Sequence, residues 1–456
     1  MTHGGPADKP ARRALVPSFL LLAVLPACAA PRPPSFLVVS MDTFRADRLG
    51  LLGPTGHPLT PALDDLAAAG INFTRAYAQA NETLYSHAAL FTGRYPTDLG
   101  PLDYRTFRLP PDSVSLAASL GQEGYRTEAV VAGGHLAPQF GLGAGFQHYR
   151  ALDDFSSFHQ TAPAAIEVLA ELADDGGPFL LFVHGCDTHS PYVKAGPFFA
   201  LGSPGYRGVM LEAARDPLTY ERVLWDRYYP DFVPTQVTDD RGDHFVSASA
   251  FDELEAWADA HPTGGIALAR EDLDFLLHTY DAAACHADLY VGLLLDALED
   301  LGLADDTVVV VLGDHGEDLL EHGHFNHRLS LHDQNVHVPL LLRIPGEAPA
   351  RVDSPVALVD VMPTLLGLAG ARPRPGRGRD LLDPDPARAV FSESMRGDVS
   401  VRDGRGRLIL RRADPQGWLA SAPPPGGWLG DDAGQPLPWE DDRRGALGRA
   451  LAEVLP

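Results

Sequence analysis

Three short apolar runs constrain this chain more than anything else in it: Phe36–Ser40 (FLVVS), Phe179–His184 (FLLFVH) and Thr307–Leu312 (TVVVVL). Continuous β-branched and apolar stretches of this length suit parallel strands covered on both faces. Helical patterns separate them. Thr60 followed by Pro61 reads as the N-cap and first turn of a helix running through Ala69 and stopped by Gly70. Ser115–Gly124 reads as a helix feeding a strand at Thr127–Ala132, Leu273–Gly302 as a long amphipathic helix, and Val338–Ile344 as a further strand. Strands spaced by helices predict an α/β fold, a mostly parallel sheet sandwiched by helices. In such sheets ligands gather at the carboxyl ends of the strands.

Those ends carry chemistry. After the first run come Met41-Asp42-Thr43, after the third Gly313-Asp314-His315-Gly316-Glu317, and the second leads into His184-Gly185-Cys186-Asp187-Thr188-His189. Two aspartates and a histidine offer hard oxygens and a borderline nitrogen, a donor set for a divalent cation. One Asp-His pair would mean little; three strand ends on one rim mean more. A fourth element, Asn81 to Pro96, is a polar turn leading into a short helix, Ser86 to Phe91, that ends at Gly93. Backbone N–H groups at a helix start favour a bound anion, and a hydroxyl there in contact with a cation can become a nucleophile. Taken alone, Thr83 and Ser86 read as helix caps.

The remaining segments are read from composition. Arg12 and Arg13 precede an apolar run of about 14 residues, too short to span a bilayer, which needs about 20. Residues 1–30 therefore read as an export signal. Leu25-Pro26-Ala27-Cys28 resembles a bacterial lipobox, which makes Cys28 a lipid anchor and the mature protein a periplasmic or outer-envelope lipoprotein; an ordinary cut near Ala29 or Ala30 is the alternative. Cys186 and Cys285 are expected to remain separate thiols. Residues 34–370 form the expected catalytic domain, interrupted at about 203–265 by an insertion that either roofs the site or is a surface excursion. Residues 371–456 are the expected C-terminal subdomain and tail. The chain has 36 basic and 61 acidic residues, net −25, with no stripe of Lys and Arg, so a nucleic-acid partner is excluded.

The motifs together resemble the sulfatase family of the alkaline phosphatase superfamily. The likeness lies in Ser40-Met41-Asp42-Thr43-Phe44-Arg45-Ala46-Asp47-Arg48-Leu49-Gly50, Thr60 to Asp64, Phe73 to Tyr77, Thr83 to Pro96, Gly313 to Glu317, Pro339 to Pro345 and Asp360 to Thr364, in the expected order. It implies Asp42, Asp314 and His315 as metal ligands, joined by Thr83 at the nucleophile position. It also implies that His189 contacts the anionic group of an ester substrate and that His327 lies near the leaving group.

The departures are informative. Sulfatases carry Cys or Ser at the nucleophile position, oxidised to formylglycine and followed by Pro and Arg; here Thr83 stands there, with Tyr85 and His87 in place of the Pro and Arg. A secondary alcohol cannot be oxidised to an aldehyde, so no formylglycine is expected. Thr43 replaces a second aspartate and His315 a frequent Asn. The set resembles the superfamily's phosphodiesterases, phosphonate hydrolases and phospho-head-group transferases, and a His ligand favours Mn²⁺ or Zn²⁺ over Ca²⁺. The expected chemistry is attack by a metal-activated Thr83 on phosphorus or sulfur, a covalent Thr ester, and protonation of the leaving oxygen by His327 or His324. A transferase acting on envelope material and an inactive binding protein are the rival readings. Asp281 and His286 are candidates for a second metal, and Asp288 reads as a packing acid.

Overall fold

The computed structural model describes Met1, Thr2 and residues 32–454, apart from 52–57, 104, 111–112, 191, 193–205, 208–235, 239–243, 247–268, 323–324, 412–427, 432–434 and 440. The expected signal, Cys28 and most of the expected insertion lie outside the described residues. Of the insertion, Gln236–Thr238 and His244–Val246 form an antiparallel pair.

In chain order the main elements are strand β1 (Ser35–Met41), helix α1 (Pro61–Ala69), β2 (Ile71–Phe73), α2 (Thr83–Thr92), α3 (Leu116–Gln122), β3 (Arg126–Val131), β4 (His148–Ala151), α4 (Phe158–Asp175), β5 (Phe179–Gly185), α5 (Arg270–Asp300), β6 (Thr307–Gly313), β7 (Leu340–Arg343), β8 (Ala350–Val352) and α6 (Val361–Leu368). The strands form one eight-stranded sheet in the order β8-β2-β7-β6-β1-β5-β3-β4. Only β7 runs antiparallel to its neighbours; β1 lies parallel between β5 and β6.

The period-2 geometry of a strand splits each apolar run between two cores. Phe36 and Val38, Leu180 and Phe182, Val308 and Val310 pack against α2, α3 and α6. Leu37 and Val39, Leu181 and Val183, Val309 and Val311 face the other way, against α1, α4 and α5. The stripe on α5 is Ala284, Ala287, Val291, Leu294 and Leu298, spaced three and four apart as a helix facing a sheet requires.

One local expectation is corrected and another refined. The strand read at Val338–Ile344 is broken at Pro339, which has no N–H to donate. Leu340–Arg343 joins the main sheet, while His337–Val338 pairs with Ala76–Tyr77. Thr60 sits at the N-cap of α1, but its hydroxyl lies 3.1 Å from Asp64 Oδ1 instead of serving the helix N–H groups. Asp288, from α5, accepts from Ala62 N at 3.2 Å and Leu63 N at 2.8 Å. This is the packing role expected of Asp288.

Beyond the main sheet, β9 (Val390–Glu393), β10 (Asp398–Asp403), β11 (Gly406–Arg411) and β12 (Trp428–Asp431) form an antiparallel sheet flanked by α7 (Arg443–Val454). Its core includes Val399, Val401, Leu408, Leu429, Leu447 and Leu451. The preceding link is anchored on buried Asp360, which accepts from Ala357 N and Arg379 N at 2.8 Å each and pairs with the Arg388 guanidinium. Asp360→Ala should lower stability by about 3–5 kcal/mol, because it leaves a buried guanidinium without its counter-charge; urea unfolding measures this.

Candidate active site

Strand register assembles the site. Ser40 lies beside His184 and Leu312, and Met41 beside Gly185 and Gly313. The next residues are therefore neighbours. Asp42 N donates to Gly185 O at 3.0 Å, and Asp314 N donates to Met41 O at 3.2 Å. Thr43 adopts φ +55°, a left-handed conformation costly for a β-branched residue. Three hydrogen bonds hold it there. Thr43 N donates to Asp314 Oδ1 (3.0 Å), its Oγ1 to Asp42 O (2.7 Å), and Tyr280 Oη to Thr43 O (2.6 Å). The Thr43 hydroxyl is thus directed at the backbone.

Helix α2 brings the hydroxyl. It starts at Thr83, three residues before the expected Ser86, with Glu82 at the N-cap. Neither hydroxyl caps it, which corrects the reading of Thr83 and Ser86 as caps. Thr83 Oγ1 lies 3.4 Å from Asp42 Oδ1 and 3.2 Å from His315 Nε2. Ser86 Oγ donates to Asp314 O at 2.6 Å. His87 is fully engaged: its Nδ1 donates to Thr83 O (2.8 Å) and its Nε2 accepts from Ser40 Oγ (2.9 Å). Burial lowers its pKa to about 4, so this position is uncharged at neutral pH.

The donor atoms converge. His315 Nδ1 is 3.0 Å from the Gly316 carbonyl, which can only accept, so the proton sits on Nδ1 and the Nε2 lone pair faces the cluster. That Nε2 is 3.6 Å from both Asp42 Oδ1 and Asp314 Oδ2. Asp314 Oδ1 accepts from Thr43 N and His315 N, whereas Oδ2 has no hydrogen-bond partner among the described residues. Burial, then the neighbouring Asp42, push Asp314 well above the usual carboxylate range. Burial lowers His315 to about 3. Donors bound at about 2.1 Å to one tetrahedral ion lie about 3.4 Å apart, close to the 3.2 to 3.6 Å that separate Thr83 from Asp42 and His315, and His315 from Asp42 and Asp314. Two facing carboxylates, an imidazole lone pair and a hydroxyl fit a divalent cation.

The two other expected residues pack beside the cluster. His327 packs 4.5 Å from the His315 ring and 5.5 Å from His189, with Nδ1 3.4 Å from Glu317 Oε1. Burial first, then His315 and His189, hold His327 well below the ordinary histidine range. His189 lies against Phe155, with ring centroids 4.8 Å apart and planes tilted by 36°. Glu317 is fully buried, and burial followed by Asp42 raises it.

Other candidates lie elsewhere. His286 Nδ1 pairs with Asp187 Oδ1 at 2.5 Å, and Asp281 with Arg48 at 2.8 Å, so they do not meet as a second metal set. Cys186 and Cys285 form no disulfide. His322 stacks on His332 at 3.6 Å and His337 Nε2 donates to Thr74 O, both structural roles; His324 lies outside the described residues. Three groups without a role in the sequence reading also lie at the site. Cys186 Sγ donates to Asp42 Oδ2 at 3.0 Å, His87 lies beneath Thr83, and His184 is buried with neither ring nitrogen hydrogen-bonded among the described residues. Leaving a buried polar atom unmatched costs about 1–3 kcal/mol. The run His184-Gly185-Cys186 at a strand end was the available signal.

A parallel sheet with a carboxylate–imidazole cluster and a helix-borne hydroxyl at its central strand ends defines the alkaline phosphatase type of α/β protein. Residues 34–371 match the sulfatase family model, and the chain belongs to the sulfatase family. Hydrolysis of sulfuric or phosphoric esters is the chemistry of that class. The ulvan-active sulfatase of Formosa agariphila is 26% identical over 393 residues, 78% of this chain; the chain spans 66% of that relative's length. BT4656, solved in complex with its substrate D-glucosamine-2-N,6-O-disulfate, shares the fold at TM-score 0.68 and 19% identity, covering 93% of this chain and 97% of that one. The phosphonate monoester hydrolase of Agrobacterium radiobacter matches at TM-score 0.64 and 19% identity, covering 92% and 94%. Among the described residues no helix is long and apolar enough to cross a membrane.

Proposed function

We propose that this chain is an exported, metal-dependent hydrolase of sulfate, phosphate or phosphonate esters that uses Thr83 as nucleophile. The observation that carries this reading is the Thr83 hydroxyl, held 3.4 Å from Asp42 Oδ1 and 3.2 Å from His315 Nε2 at the start of α2. Asp42, Asp314, His315 and Thr83 would hold Mn²⁺ or Zn²⁺ in preference to Ca²⁺. When bound, that ion lowers the pKa of a hydroxyl and neutralises charge on the transferring group.

The chain's own residues do the rest. Thr83 Oγ1, its hydroxyl proton lost to solvent, attacks phosphorus or sulfur, the bond to the leaving oxygen breaks, and a Thr83 ester forms. His189 contacts the anionic group. His327 is neutral in the free protein, a form suited to taking a proton from the water that cleaves the ester. It donates to a leaving oxygen once an anionic ester beside it favours its imidazolium. The secondary alcohol of Thr83 offers no route to formylglycine, and a threonine sulfate lacks the easy elimination available to a hydrated aldehyde. Attachment to a membrane, through Cys28 alone, belongs to the same proposal.

The test is a set of initial rates on an aryl sulfate, an aryl phosphate monoester, a phosphodiester and a phosphonate ester, each with Mn²⁺, Zn²⁺ or Ca²⁺. Phosphorus esters should be turned over at least about tenfold faster than the sulfate, a barrier difference of about 1.4 kcal/mol. Dominant aryl sulfate turnover would overturn the argument from threonine. No turnover by a metal-loaded protein would favour a binding role.

A further inference from the structure

We propose that the chain holds a second cation position, adjoining the Thr83 cluster and sharing Asp42 with it, where His184, Cys186 and the far oxygen of Asp42 bind a thiophilic divalent ion of the Zn²⁺ type. The three side chains are buried, and their ligand atoms lie within 4.8 Å of one another. Sheet register puts them together. His184 is the penultimate residue of β5, beside Ser40, and Cys186 follows the strand with its Sγ 3.0 Å from Asp42 Oδ2.

His184 is the observation that asks for a ligand. It is 1% exposed, and neither Nδ1 nor Nε2 is hydrogen-bonded among the described residues. A second triad within reach, His87, His184 and Asp314, competes for it. That set fails because both His87 nitrogens are engaged, by Thr83 O and Ser40 Oγ. Asp42 divides its oxygens between the two positions. Oδ1 faces Thr83 and His315, while Oδ2 is 3.0 Å from Cys186 Sγ. Sulfur, imidazole and carboxylate form a zinc-type donor set. Cys186 releases its proton to solvent as it binds, and affinity therefore rises with pH.

The test uses the full chain carrying Cys28→Ser and Cys285→Ser, which leaves Cys186 as the sole thiol. The protein is stripped with a chelator and titrated with Co²⁺. A thiolate-to-cobalt charge-transfer band should appear in the near ultraviolet and saturate by two equivalents, one for each position. Cys186→Ser should lose the band, and His184→Gln should weaken the affinity that it reports by about tenfold or more. Asp314→Asn should remove cobalt from the Thr83 cluster yet keep the band, so this position and the Thr83 reading can fail separately. No band at saturating cobalt overturns the proposal. So does a band that vanishes in Asp314→Asn, which would mean one shared ion. If Cys186→Ser does not fold, His184→Gln and the parent titration still decide the question.

Discussion

Thr83→Ala lowers kcat by about 10⁴-fold or more, the scale on which removing a covalent nucleophile acts. The side chain is 5% exposed and its oxygen is the only part aimed at the cluster, between Asp42 and His315. Removing it takes away the attacking atom and one cation donor while sparing the backbone of α2. His87 still donates to the residue-83 carbonyl, so the helix start should keep its place. Thr83→Ser retains the oxygen and should stay within about tenfold of the parent, because only a methyl group is lost. Steady-state rates on the best ester of the panel check both variants, and mass spectrometry after acid quench should find the added group on the peptide containing Thr83. Thr83→Ala activity within tenfold of the parent sinks the nucleophile assignment.

Asp314→Asn should separate activity from stability. The amide retains an oxygen for the N–H groups of Thr43 and His315, but it puts a nitrogen donor where Asp314 Oδ2 faces the cluster. Cation affinity should fall by about 100-fold or more, and turnover with it, since a charged first ligand is lost and second-sphere changes alone give 10–100-fold. Without metal the sign reverses. Burial and Asp42 raise the Asp314 pKa above its unfolded value, so the folded state binds more protons. Stability of the metal-free parent therefore falls as pH rises out of the ordinary carboxylate range. Asp314→Asn removes that slope and should be more stable than the parent by about 1–2 kcal/mol at neutral pH in chelator. Thermal melts from pH 4 to 8, with and without Mn²⁺, test this. A metal-free variant less stable than the parent would mean the carboxylate's hydrogen bonds outweigh its burial.

The parts legible in the sequence were those governed by local pattern. Phe36–Ser40, Phe179–His184 and Thr307–Leu312 announce themselves because a strand covered on both faces has no polar side to alternate with. Asp42, Asp314 and His315 stood out because ligands collect at strand ends. Thr83 was different. By residue type it looked like a cap, and only the family likeness moved it into the site. Thr60 is the N-cap that its place suggests, yet its hydroxyl does not serve the helix. Its place before Pro61 fits a cap, but Asp288, 226 residues from Ala62, supplies the hydrogen bonds.

Sequence alone determined the layered α/β architecture, the family and most of the polar residues at the strand ends, because hydrophobic period and residue type act locally. Tertiary structure decided which oxygen of Asp42 faces Thr83 and which faces Cys186, why Thr43 turns its hydroxyl away, and why His184 has no hydrogen-bond partner among the described residues. These depend on the register of β1 between β5 and β6 and on where α2 docks over it. Shifts of an ångström separate a ligand from a hydrogen bond at that range, and no local pattern encodes them.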